Sequence, residues 1–206
     1  MSVRANALWI KICGMTTPEA VEAAIAAGAD AIGFVFAEST RRLTVEQACR
    51  LAVPARGRVC CVAVTRDPGQ AQVDEILSGF RPDVLQSDAP DLERLRLPAA
   101  LERLPVLRTW RAGGPLPTRV LFEGALSGAG RTCDWDSAAG AARRTQLVLA
   151  GGLNPHNVTA AIAAVQPYGV DVSSGVESRP AIKDPDEIKR FVNAARTAHV
   201  ALQEPT

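Results

Sequence analysis

The sequence predicts a small α/β protein, a (β/α)8 barrel. Short apolar, β-rich runs alternate with Ala-rich or charged amphipathic segments along the chain. Runs such as AIGFVF are apolar without alternation, as expected of strands covered on both faces in a parallel sheet. Eight such runs in 206 residues sit at the lower size limit of an eightfold barrel, about 200 residues. An open doubly wound sheet normally uses fewer strands.

The elements follow in order. The first strand is read at Leu8–Ile12. Thr17-Pro18-Glu19 then supplies an N-cap, a proline at the first helical position and an acid in the first turn, and Gly28 closes that helix. The second strand is Ala31–Phe36, followed by a helix opened by Thr44 and Gln47 in capping-box spacing. Strands three to five are read at Val59–Val64, Asp83–Gln86 and Val106–Trp110. The stretch RAGGPLPTR leaves little room for a fifth helix, so a turn or a short remnant is expected there. Strand six is Arg119–Phe122 and strand seven Leu147–Ala150, after which Asn154-Pro155 opens a helix. Strand eight is Gly169–Val172, and Asp184-Pro185 opens the last helix. No low-complexity linker divides the chain. The proline-rich patch from Pro98 to Pro117 reads as trimmed barrel loops, because strands continue on both sides of it. One domain over residues 1–206 is therefore expected, with Met1 to Ala7 as a disordered extension.

Composition narrows the function classes. A net charge of +1 gives no electrostatic reason for nucleic acid or an acidic membrane, and 4% aromatic content argues against a base-stacking platform. The five cysteines include no CxxC pair, and the histidines are only His156 and His199, so no metal site is expected. Reduced thiols are the simpler reading of an odd cysteine count. The opening MSVRANALWI has no long apolar core with a cleavage site, and no apolar run approaches the ~20 residues that span a bilayer. A cytoplasmic protein, monomeric or homodimeric, is expected.

In such barrels the working groups lie at the C-terminal strand ends. That rule selects Cys13, Arg41, Asp88, Glu123, Gly151-Gly152, Asp171 and Ser173-Ser174-Gly175. The glycine pair lets backbone approach a ligand just before a helix start, whose free N–H groups suit a phosphate. Ser173, Ser174 and Gly175 on the neighbouring strand end favour a phosphate cradle over a mere tight turn. Cys13 is either a base or a small core residue on position alone. A thiol of pKa about 8.5 can act as a base if its thiolate is favoured. Cys49, Cys60, Cys61 and Cys133 read as core. Glu123 ends an apolar strand, where a carboxyl is costly unless it does something. It is either a general acid or the partner of Arg119 or Arg131. Arg41 has the fork geometry to bind a substrate carboxylate, and its neighbour Arg42 reads as a solvated loop charge.

The segments KICGMT, GFVFAESTRRLT, SGAGRTCDW, LAGGLNPHNV and DVSSGVESRPAIKDP, running from Lys11 to Pro185, resemble the phosphoribosylanthranilate isomerase family of tryptophan biosynthesis. The resemblance implies a (β/α)8 barrel without cofactor that acts on a phosphorylated small molecule by an Amadori rearrangement. It implies Cys13 as the general base and Arg41 as the partner of the anthranilate carboxylate. Gly152, Ser174 and Gly175 would hold the phosphate, and Asp171 would stand near the sugar hydroxyls. The family's acid is an aspartate, and Glu123 holds its position here. Asp88 and Ala89 stand where the family often has histidine and glycine, and Cys133 stands where an aromatic is common before Asp134-Trp135. Asp134 reads as structural. The rival readings are the related aminoaldose-phosphate isomerase of histidine synthesis and a non-catalytic phosphate-metabolite-binding barrel.

Overall fold

In the computed structural model, residues 7–110, 115–124 and 134–203 are described. Eight parallel strands close a barrel in sequence order. They are β1 (Trp9–Cys13), β2 (Ala31–Val35), β3 (Cys60–Val64), β4 (Val84–Asp88), β5 (Glu102–Leu107), β6 (Arg119–Phe122), β7 (Gln146–Leu149) and β8 (Gly169–Val172). β8 closes on β1 with Lys11 opposite Asp171. The helices are α1 (Pro18–Ala27), α2 (Val45–Ala52), α3 (Gln70–Glu75), α4 (Ala89–Arg94), α5 (Trp135–Ala142), α6 (Val158–Val165) and α7 (Pro185–Gln203). Between β5 and β6 no helix occurs among the described residues, as the sequence predicts. No described helix is long and apolar enough to cross a membrane.

The expected helix signals operate. Thr17 accepts from the Ala20 N–H at 3.2 Å, and Gly28 takes the left-handed conformation, φ 83°, that ends α1. Thr44 and Gln47 form a reciprocal capping box. Asp184 caps α7 through the Asp186 N–H. Asp134 caps α5 by accepting from Asp136 and Ser137, which agrees with its structural reading.

The alternation of strand side chains builds two apolar shells. Ile10, Ile12, Ile32, Phe34, Leu147 and Leu149 point outward to the helices. Ala31, Val62, Val84, Leu104, Val106, Leu121, Val148 and Ala150 fill the interior. Each fully buried aliphatic side chain contributes about 1.5–3 kcal/mol. The same alternation puts Trp9, Lys11 and Cys13 on one face of β1. At the N-terminal end, Arg119 stacks on Tyr168 at 4.8 Å and bonds to Glu102 and Gln146, closing the floor.

Several sequence expectations are revised. Strand five is read at Val106–Trp110, but β5 runs Glu102–Leu107. Glu102 and Arg103 are charged, yet they pair with Val84 and Leu85 of β4, while β6 pairs only from Val106 onward. α6 starts at Val158 rather than beside Pro155. Asn154 instead caps an intervening turn, its side chain accepting from His156 and Asn157. Arg119 lies at the floor and is no partner for Glu123 at the opposite end. Cys60 packs against the interior apolar cluster near that floor, in keeping with its reading as core. A hairpin after β8, β9 (Glu177–Arg179) with β10 (Ile182–Lys183), was not foreseen. Arg131, Cys133 and the expected extension up to residue 6 lie outside the described residues.

Candidate active site

The site starts with a charged residue in an apolar strand. In WIKIC, Lys11 is fully buried inside the barrel, where an uncompensated ammonium would cost several kcal/mol. It donates to Asp171 at 2.7 Å from the adjacent β8 and lies within hydrogen-bonding reach of the Cys13 thiol. Room for this trio comes from Gly33 on β2. A Cβ there would sit 2.9 Å from Cys13 Sγ and 3.2 Å from Lys11 Cε. Burial holds the Cys13 thiol above its ordinary range; Lys11 and Lys183 oppose that rise, and Asp171 adds to it. Burial also opposes the Lys11 charge, but Asp171 and Cys13 outweigh it and hold the ammonium above its ordinary range.

The loop after β8 forms the next layer. Ser173 Oγ donates to the Cys13 carbonyl at 3.1 Å. Lys183 donates to the Ser173 carbonyl at 3.0 Å and to Glu177 at 2.7 Å. Glu177 also takes both Nε and Nη2 of Arg41, at 2.6 and 2.8 Å. Burial disfavours the Glu177 charge, yet these bonds hold its pKa at about 2. Burial lowers the pKa of Lys183 despite Glu177. A Cβ on Gly14 would strike the Arg41 side chain, so that glycine, at φ 82°, lets the arginine cross over β1's end.

The glycine pair sits beside this layer. Gly151 and Gly152 take φ of 89° and 64°, open to glycine at no steric cost. Asn157 donates to the Gly152 carbonyl at 2.8 Å and fixes the loop. A Cβ on Gly175 would collide with the Leu153 carbonyl oxygen, so the loops after β7 and β8 touch there. Gly152, Ser174 and Gly175 therefore share one rim, with a short 3-10 turn over Ser174–Val176.

Across the barrel mouth, Glu123 follows β6 with its N–H on the Leu107 carbonyl at 3.0 Å. Arg108 extends from the end of β5, with Nη2 2.9 Å from Asp88 and Nη1 3.5 Å from Glu123. The structure thus brings Cys13, Asp171, Ser173 and Arg41 into one connected network, and places Glu123 and Asp88 in a second one. Two expectations shift. Asp171 is engaged with Lys11, and the Arg41 fork expected to meet a substrate carboxylate is engaged with Glu177. Sequence reasoning missed Lys11, Gly33, Glu177, Lys183 and Arg108. A lysine two residues before Cys13 in an apolar strand was a legible signal. The others needed the barrel closed. No cluster able to hold a metal occurs among the described residues.

A family model described as N-(5'-phosphoribosyl)anthranilate (PRA) isomerase matches residues 10–194. The chain belongs to this family. The isomerase from Streptococcus gordonii is 40% identical over 91% of this chain and 97% of its own length. That from Azorhizobium caulinodans is 36% identical, covering 95% of this chain and 94% of its own. A solved phosphoribosylanthranilate isomerase in complex with reduced 1-(o-carboxyphenylamino)-1-deoxyribulose 5-phosphate superposes with a TM-score of 0.73. It is 29% identical and covers 92% of this chain and 99% of its own. That ligand is a phosphorylated small molecule carrying a carboxylate.

Proposed function

We propose that this isomerase rearranges N-(5'-phosphoribosyl)anthranilate in tryptophan synthesis with Cys13 as general base and Glu123 as general acid. The rearrangement is internal and needs no outside oxidant or reductant. Glu123 gives a proton to the furanose ring oxygen as the C–O bond to the first sugar carbon breaks, and the aryl nitrogen lone pair forms a Schiff base. The Cys13 thiolate then takes the proton from the second carbon, whose electrons neutralise the iminium to give an enolamine. Tautomerisation returns a proton to the first carbon and leaves the ketone. Proton transfer of this kind is worth about 10^2–10^4-fold per group.

The observation that carries the reading is the inward-facing thiol of β1 set between the cations Lys11 and Lys183. A desolvated thiol needs such charges to ionise near neutrality. The rim of Gly151, Gly152, Ser173, Ser174 and Gly175 would take the phosphate through backbone N–H groups and hydroxyls. Arg41, braced by Glu177, would meet the anthranilate carboxylate with its remaining guanidinium face. Asp171, with one oxygen on Lys11, would present the other to the sugar hydroxyls.

The test is a fluorescence assay that follows loss of the anthranilate-ribose phosphate. Cys13→Ser and Glu123→Gln should each lose about two to four orders of magnitude in turnover while substrate still binds. Wild-type rates in both variants would remove the mechanism.

A further inference from the structure

Arg108 lies between two of the positions at which this chain departs from the pattern its family resemblance implies, Asp88 and Glu123. Asp88 from the end of β4 accepts from its Nη2 at 2.9 Å, and Glu123 from the end of β6 stands 3.5 Å from its Nη1. Arg108 itself follows β5, so the guanidinium links three consecutive strand ends. The side chains of Asp88, Arg108 and Glu123 are only 25%, 24% and 20% exposed, so water screens the group less than it would a surface pair. The contact lengths are unequal. The close bond fixes the guanidinium on Asp88. The longer one is at the outer limit of a hydrogen bond, and it limits the swing of Glu123.

The chemistry of these two departures fits this arrangement. Glutamate has one more rotatable bond than aspartate and needs more orientation. It is also about 1.5 Å longer, and an aspartate on the same backbone would fall short of Arg108. A histidine at position 88 would offer no carboxylate to anchor the guanidinium. We propose that Arg108 is a positioning residue for Glu123, anchored by Asp88, so that residues 88, 108 and 123 act as one unit. This rests on the reading of Glu123 as the acid.

The experiment is steady-state kinetics on Asp88→Asn, Arg108→Met, Glu123→Asp, Glu123→Gln and the double variant Asp88→Asn/Glu123→Asp, with folding of each checked by circular dichroism. Asp88→Asn and Arg108→Met should each lower kcat about tenfold with KM within about twofold, because a misplaced acid costs rate rather than binding. In the Glu123→Asp background, Asp88→Asn should cost less than about twofold, because the shorter acid no longer reaches Arg108. Full, multiplicative losses in the double variant would overturn the proposal, and so would a rise in KM at unchanged kcat in Arg108→Met. Unchanged kcat in Asp88→Asn and Arg108→Met beside an inactive Glu123→Gln would overturn it while leaving the acid reading intact. Wild-type turnover in Glu123→Gln would remove both.

Discussion

Cys13 and Cys60 look into the same barrel interior from opposite ends. Burial raises the pKa of both. At the floor, Asp83 and Glu102 add to that effect beside Cys60, and its thiol is pushed up to about 12 with only Arg119 opposing. At the mouth, Lys11 and Lys183 oppose burial beside Cys13, with Asp171 as their counter-charge. Both thiols are raised, but only Cys13 has two cations opposing the rise. Sulfur, inward orientation and the closed barrel are common to both sites. The difference is the balance of neighbouring charge: two cations and one carboxylate at the mouth, two carboxylates and one cation at the floor.

The largest effect that tests this contrast is on turnover. Cys13→Ser should lower kcat by about 10^2–10^4-fold, whereas Cys60→Ser should stay within about twofold. Comparable losses at both positions, in the same fluorescence assay, would mean that inward orientation and not charge selects the working thiol. The next effect is on stability. Lys11→Met strands a buried Asp171, which should cost about 3–5 kcal/mol in urea unfolding. It should also move the ascending limb of the kcat–pH profile to higher pH, because the removed ammonium was lowering the thiol's pKa. An unmoved limb would separate Lys11 from the thiol's ionisation.

Gly33→Ala is a subtler probe. The added methyl meets Cys13 Sγ and Lys11 Cε and must displace one of them. Overpacking of this kind costs about 1–3 kcal/mol. A fall in kcat beyond the loss seen for Cys60→Ser should accompany it, read from kinetics and thermal melts together. The smallest effect concerns Glu177, which braces Lys183 and Arg41. In the fold its pKa drops from an ordinary 4.5 to about 2. Its charge therefore contributes stability that is complete above pH 4.5 and lost as pH falls toward about 2. Glu177→Gln should flatten that acid-side loss in urea melts taken across this range. An unchanged acid slope would mean that other carboxylates carry it.

Much of this fold was legible beforehand. Thr17, Gly28, Thr44 and Asp184 each act where they were read, because capping depends on neighbours within a few residues. Strand five slipped because β5 begins with the charged pair Glu102 and Arg103, which only pairing with β4 marks as strand. At the site, the positions of Cys13, Glu123 and the Gly151-Gly152 pair followed from strand ends alone. Arg108 had no local signal. Its role depends on Asp88 and Glu123, which lie 20 and 15 residues away and meet it only when three strands align.

Local rules in the amino-acid chain determined where most strands and helices lie, which residues stand at the C-terminal rim, and the family to which they point. Closure of the barrel decided what those residues touch. It set Lys11 against Asp171 across the β1–β8 seam, turned Arg41 onto Glu177, and gave the two inward thiols a different balance of charge. The reason is range: capping and alternation act over a turn or two of chain, whereas charge and steric fit act through space between residues that sequence leaves far apart.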